Sequence, residues 1–319
     1  MTNILFVRTL LIVFYSFFFS LWWMSSRKKD RPILVCDIFS FWSSLPALFV
    51  AKLLKVKTTV IVTDLPQLVH AMTNRNVSCF SLLFWTELFA MKLLNSFDSY
   101  ILFSEAMNEV VNKRGKPYMI MEGLVDNTKM NMPNLNEDEM TPFEFMYCGG
   151  IYEKYGLKNL IEAFMLIENK NVQLSLYGDG DMIESLIHYM KKDKRIVYYG
   201  TLPNEEILIR EQKATVLVNP RFSKEPLAKY SFPSKNMEYM SSGTPVLTTH
   251  LPGMPSEYNQ YVFFIDDESV EGMKISMEKL ISMDRKALKK MGLNALEFVR
   301  LNKNNFVQSR RILDFISSL

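Results

Sequence analysis

The chain has 319 residues, 48% of them hydrophobic and 22% charged. That length fits about two domains, and the composition excludes a disordered, collagen-like or low-complexity chain. Lys plus Arg number 37 against 34 Asp plus Glu, a net charge of +3, which excludes the strong basic excess of a dedicated nucleic-acid binder. Three widely spaced cysteines (Cys36, Cys79, Cys148) and three histidines (His70, His188, His250) show no zinc-ligand spacing. They fit a reducing compartment, and no metal is expected.

Residues 4–24 form the most apolar stretch, interrupted only by Arg8 and followed by Arg27, Lys28, Lys29 and Arg31. As a helix it spans about 31 Å, enough to cross a bilayer. Three readings stay open: a membrane anchor with its C-terminal side in the cytoplasm, a signal peptide, and a buried or membrane-contacting helix of a globular domain. The charge after the apolar run, with no small-residue cleavage site, speaks against the signal peptide.

From residue 33 the pattern becomes regular. Short apolar, β-branched runs at 33–39, 58–65, 99–104 and 118–123 read as strands, with helical spacing between them. The polar, Asn- and Asp-rich segment 124–141 reads as a linker. The rhythm then restarts with strands at 143–150, 172–181, 195–200, 214–220, 244–249 and 261–266, and helices at 159–167, 182–192 and 234–243. Gly243 is a C-terminal helix signal. Such alternation predicts an α/β chain with two parallel-sheet, Rossmann-like domains, 1–138 and 139–319, facing a cleft. Ligands of such sheets bind at the carboxyl ends of the strands.

The sharpest block is 218–253, VNPRFSKEPLAKYSFPSKNMEYMSSGTPVLTTHLPG. Arg221 follows a strand, and Lys235 sits in the first turn of a helix, where free N–H groups and the dipole favour an anion. Glu238 lies one turn further on the same face. Two cations for a pyrophosphate and a carboxylate for a vicinal diol describe a nucleotide sugar. A solvated helix with an i,i+3 ion pair is the alternative on spacing alone.

The block resembles the donor-binding signature of family-4 glycosyltransferases of the GT-B fold. The resemblance is strongest to a bacterial capsule and exopolysaccharide branch. It extends through YCGGIYEKYGLKNLIEAF (147–164), YGDGD (177–181), VYYGTLPNEE (198–206) and IVTDLP (61–66). It implies a retaining transfer without a catalytic metal or cofactor, the donor held by the C-terminal domain and the acceptor by the N-terminal one. By motif, Glu238 would hold the ribose hydroxyls, and Gly149 and Gly150 would let amides approach the phosphates. Arg221 and Lys235 would neutralise the leaving diphosphate. Two departures stand out. Gly150 and Tyr155 occupy the positions of the usual phosphate-binding Arg and Lys, leaving Arg221 and Lys235 to substitute, with Lys154 as a local alternative. Tyr230 replaces the first Glu of a Glu-x7-Glu motif, so Ser231 and Phe232 would meet the donor sugar through backbone amides.

In the N-terminal half, Asp64, Glu105 and Glu122 each follow a strand and are candidate catalytic or acceptor-orienting carboxylates; turn or N-cap roles are the alternatives. His70 and His188 read as structural or surface residues, and Lys224 and Glu225 as a solvated loop. For His250, which follows a strand end, contact with the cleft is the minor reading.

Gly115 is the first glycine of the chain. The family's opening Gly-rich turn is therefore absent, and the chain is expected to lack the first βα units of its N-terminal domain. The leading expectation is a glycosyltransferase at the cytoplasmic face of the plasma membrane, using a UDP- or GDP-sugar and a glycan or lipid-linked acceptor, with no nucleic-acid partner. The alternatives are a truncated, catalytically impaired homologue that binds nucleotide sugar or serves as a partner subunit, and a single-pass membrane protein with another α/β domain.

Overall fold

The computed structural model describes residues 2–37, 40–65, 89, 92–126, 142–226 and 228–319. His70, Cys79, most of the expected linker and the expected boundary at 138/139 lie outside them. The chain divides into two compact units. The first takes Met1–Glu122, Lys229–Phe232 and Ser309–Leu319; the second takes Gly123–Ala228 and Pro233–Gln308.

The first unit carries a parallel sheet in the order β1 (Ile33–Asp37), β2 (Lys57–Val62), β3 (Ser99–Leu102), β4 (Tyr118–Ile120). Ile33 stands opposite Lys57, Thr59 opposite Ser99 and Tyr100 opposite Tyr118. β-branched Val60 and Val62 and the whole of β3 are buried, as strands covered on both faces must be. Helix α1 (Thr2–Ser26) precedes β1, α2 (Phe41–Leu54) joins β1 to β2, and α3 (Glu105–Val111) joins β3 to β4. Val60, Leu94, Phe97, Tyr100, Leu102 and Met107 form its core, with Tyr230 packed on the rim.

The second unit holds six parallel strands: β5 (Phe143–Cys148), β6 (Val172–Tyr177), β7 (Ile196–Tyr198), β8 (Val216–Asn219), β9 (Val246–Thr249) and β10 (Phe263–Ile265). Their spatial order is β10-β9-β8-β5-β6-β7. Helices α4 (Leu157–Met165), α5 (Ile183–Lys192), α6 (Asn204–Lys213), α7 (Ser234–Ser242), α8 (Val270–Ile281) and α9 (Arg285–Asn302) alternate with and follow them, and α10 (Asn305–Ser317) starts in this unit and belongs to the first from Ser309 on. α4 buries Leu157, Leu160, Ile161 and Phe164, the i, i+3, i+4, i+7 face of a surface helix, against the sheet. α7 ends where the sequence says it should, with Gly243 left-handed at φ 79°. Ser269 and Asp284 cap α8 and α9 through side-chain bonds to Gly272 and Ala287.

Candidate functional site

The strand order of the second unit reverses between β5 and β8: the chain proceeds to β6 on one side and to β8 and β9 on the other. The carboxyl ends of two strands at such a switch point leave a crevice for a ligand. β5 ends in Cys148-Gly149-Gly150, and β8 ends in Asn219-Pro220-Arg221.

Close backbone approach shapes this edge. A Cβ on Gly156 would lie 2.0 Å from the Pro220 carbonyl oxygen, and one on Gly178 would lie 1.8 Å from that of Gly149. Glycine at both, each with positive φ, lets the loop after β5 lie against the ends of β6 and β8. Gly149 N–H donates to the Tyr177 carbonyl at 3.0 Å, and Ile151 N–H to that of Asp179 at 2.8 Å. The Gly149 amide is therefore engaged within the protein. Of the two amides expected to approach a phosphate, Gly150 N–H is the one with no partner among the described residues.

Helix α7 starts beside this edge and carries the expected pair. Lys235 Nζ meets Glu238 Oε2 at 3.2 Å, both side chains about one-third exposed. Two buried contacts fix the helix. Tyr239 Oη donates to the Cys148 carbonyl and accepts from Cys148 N–H. Asn236 accepts from Asn219 Nδ2 at 2.7 Å and donates to Thr248 Oγ1 at 3.1 Å, joining α7 to β8 and β9. Burial holds Tyr239 well above the usual phenol range, so it stays a neutral donor.

Arg221 sits over the Tyr155 ring, 5.9 Å from its centroid, and pairs through Nε with Glu225 Oε2 at 3.0 Å. Glu225 is thus not a freely solvated loop residue but Arg221's counter-ion. Lys154 lies over the rings of Tyr152 and Tyr155, at 5.5 and 5.4 Å. Tyr155, standing where the resemblance expects a cation, acts as an aromatic platform for two cations.

One functional candidate escaped the sequence reading. Glu211, in the last turn of α6, is fully buried, and among the described residues neither carboxylate oxygen has a hydrogen-bond partner. Burial, reinforced by the negative charge of Glu238, raises its pKa from 4.5 to about 8; Lys235 opposes the shift. Burial also raises the Cys148 thiol to about 11.

In the first unit, Asp64, Glu105 and Glu122 follow β2, β3 and β4, adjacent strands of one parallel sheet. Asp64 is half-buried, and desolvation raises its pKa. Glu105 is exposed and accepts from Tyr118 Oη at 3.1 Å. Glu122 is 3% exposed. Ser231 and Phe232 group with the first unit, unlike Lys235 and Glu238, and the Ser231 hydroxyl is buried with no partner among the described residues. His250 is exposed, bonds Asp266 at 2.8 Å and stacks on Phe264. Among the described residues, no His, Cys, Asp or Glu cluster could hold a metal ion.

A family model described as glycosyl transferases group 1 matches residues 130–298. Among curated proteins none matches. Solved structures with a similar fold include a sucrose-phosphate synthase from Thermosynechococcus elongatus, with TM-score 0.65, 17% identity, and coverage of 90% of this chain and 73% of that one. The apo lipopolysaccharide outer core galactosyltransferase WaaB gives 0.63 and 16% identity, covering 99% and 82%. Anabaena HepE in complex with UDP gives 0.64 and 14% identity, covering 87% and 76%. These similarities establish the GT-B fold, with its parallel α/β sheets.

Proposed function

The chain belongs to the glycosyl transferases group 1 family, and from that membership we propose that it transfers a sugar from a nucleotide-sugar donor held by the second unit to a glycan or lipid-linked acceptor. The observation that carries this reading is the Lys235–Glu238 pair in the first turns of α7, whose partner residue Tyr239 ties that helix to the end of β5. Glu238 accepts two hydrogen bonds from the ribose diol. Lys235 then faces the diphosphate from a helix N-terminus, and Arg221 adds a second cation. Negative charge grows on the diphosphate as the sugar–oxygen bond breaks, so cations fixed there stabilise the transition state more than the ground state. The reaction retains anomeric configuration and uses no metal; the two cations supply the charge neutralisation. UDP is the favoured nucleotide, supported by HepE, whose structure with UDP has this fold. The first unit serves the acceptor, with Asp64 orienting its hydroxyl, and the product is a cell-surface polysaccharide.

A second reading, nucleotide-sugar binding without turnover, is favoured by two observations: Glu225 already pairs with Arg221, and the Gly149 amide is already used. One assay separates them. Purified protein is mixed with UDP- and GDP-sugars and a membrane-lipid extract, and nucleotide release is followed beside Glu238→Ala and Lys235→Ala. Acceptor-dependent release that both substitutions lower strongly at donor concentrations below the wild-type KM supports transfer. Donor binding without release supports the second reading. Absence of any nucleotide binding overturns both.

A further inference from the structure

The surface of α1 and α2 is built unlike the rest of the first unit. The two helices run side by side in the same direction: Ser16 Oγ bonds the Ser43 carbonyl, Phe17 meets Phe49 with ring centroids 6.3 Å apart, and Met24 packs with Val50, Ala51 and Val56. Opposite that seam, Val7, Leu11, Phe14, Phe18 and Trp22 are 53–65% exposed, at spacings of four, three, four and four residues. They make one apolar stripe about 22 Å long. Phe49 and Leu53 of α2 are 62% and 65% exposed. Water-facing aromatic and aliphatic rows of this extent mark a docking surface.

Charge identifies the occupant. The carboxyl ends of both helices run into cations: Arg27, Lys28, Lys29 and Arg31 after α1, and Lys55 and Lys57 after α2, all exposed. Next to them Lys52, Lys92, Arg114 and Lys116 surround Asp98 in a cavity of about 630 Å³. An apolar face with a basic end suits an anionic bilayer surface, with rings among the acyl chains and cations among the headgroups.

We infer that α1 and α2 together form an interfacial docking face for an anionic lipid bilayer, with α1 lying along the membrane rather than crossing it alone. α1 is long and apolar enough to span. To do so it would leave α2, exposing the buried Met24, Val50 and Ala51 and breaking the Ser16–Ser43 bond. A lone span also gives no reason for the exposed Phe49 and Leu53. This face shares no residue with the proposed donor site, so the test is independent of the proposed transfer.

Purified full-length protein is sedimented with vesicles of phosphatidylcholine alone, or of three parts phosphatidylcholine to one of phosphatidylglycerol, without donor. Three surface pairs are compared with wild type: Phe18→Ser with Trp22→Ser, Phe49→Ser with Leu53→Ser, and Lys28→Glu with Lys29→Glu. Thermal midpoints check that each variant is folded. The expected result is binding that needs the anionic lipid and falls roughly tenfold or more in each pair, the α2 pair included. Salt at about 0.5 M should weaken it strongly, and alkaline carbonate should release the protein from native membranes. Equal binding to neutral vesicles, absence of binding to either, an unaffected α2 pair or carbonate resistance would each overturn the inference. An inactive transferase that still binds the vesicles leaves it standing.

Discussion

Tyr239 Oη both donates to the Cys148 carbonyl, at 3.0 Å, and accepts from the Cys148 N–H, at 2.9 Å. One hydroxyl thus satisfies both main-chain groups of the last residue of β5 and fixes α7 one turn after Lys235 and beside Glu238. Tyr239→Phe fills the same space but leaves those groups without this partner in a buried setting. A loss of about 2–4 kcal/mol in unfolding free energy follows, measurable by urea denaturation. Because the helix that carries the donor pair is released, donor KM should rise even where the variant remains folded.

The Lys235–Glu238 pair separates two roles by kinetics. Glu238 meets the ribose in ground state and transition state alike, so Glu238→Ala should raise donor KM roughly 10- to 100-fold with a smaller change in kcat. Lys235 faces charge that grows during reaction, so Lys235→Ala should lower kcat by roughly 10- to 100-fold or more. Steady-state kinetics with saturating acceptor checks both. Matching effects on KM alone would remove Lys235 from the chemistry.

The strands were legible because each is a short, largely apolar run, most of them with β-branched residues, and a strand covered on both faces must be one. All ten runs read as strands appear between residues 33 and 265. The contact between Lys235 and Glu238 was legible for a similar reason: helix spacing puts i and i+3 on one face. What could not be read is set by tertiary packing. Glu211 stands in a charged helix whose sequence, NEEILIREQK, is that of a solvated surface, and only the packed fold shows it fully buried beside Glu238. The Arg221–Glu225 pairing depends on loop path, and the engagement of Gly149 N–H depends on the neighbouring strand β6. Ser231 and Phe232 lie two and one residues before Pro233, where the grouping of the chain changes; nothing in local sequence marks that point.

Glu211 gives a pH signature. Its folded pKa of about 8 lies above the ordinary 4.5. Between those values the unfolded chain has lost a proton that the folded chain keeps, so stability falls as pH rises from about 4.5 and levels off above about 8. Over that window this one group removes a few kcal/mol. Glu211→Gln, which cannot ionise, should flatten the pH dependence and be more stable than wild type at pH 8, with little difference near pH 5. Urea midpoints between pH 5 and 9 test this; parallel curves for the two proteins would show that Glu211 is ionised or hydrated in the fold.

Two glycines at the site edge should respond differently to the same added methyl. At Gly178, φ is +131°, and the new Cβ would lie 1.8 Å from the Gly149 carbonyl oxygen, which is backbone and cannot swing aside. Gly178→Ala must push the loops after β5 and β6 apart, costing about 2–4 kcal/mol and weakening donor binding. At Gly150 the nearest atoms, 2.5 Å away, belong to the Tyr152 ring, which can rotate. Gly150→Ala should therefore cost less than about 1.5 kcal/mol. If its free amide meets the phosphate, Gly150→Ala should still raise donor KM through the shifted Tyr152 platform under Lys154. Denaturation and donor titration on both variants separate backbone crowding from loss of a phosphate contact. A Gly178→Ala protein as stable as wild type would mean that the two loops are not held together as described.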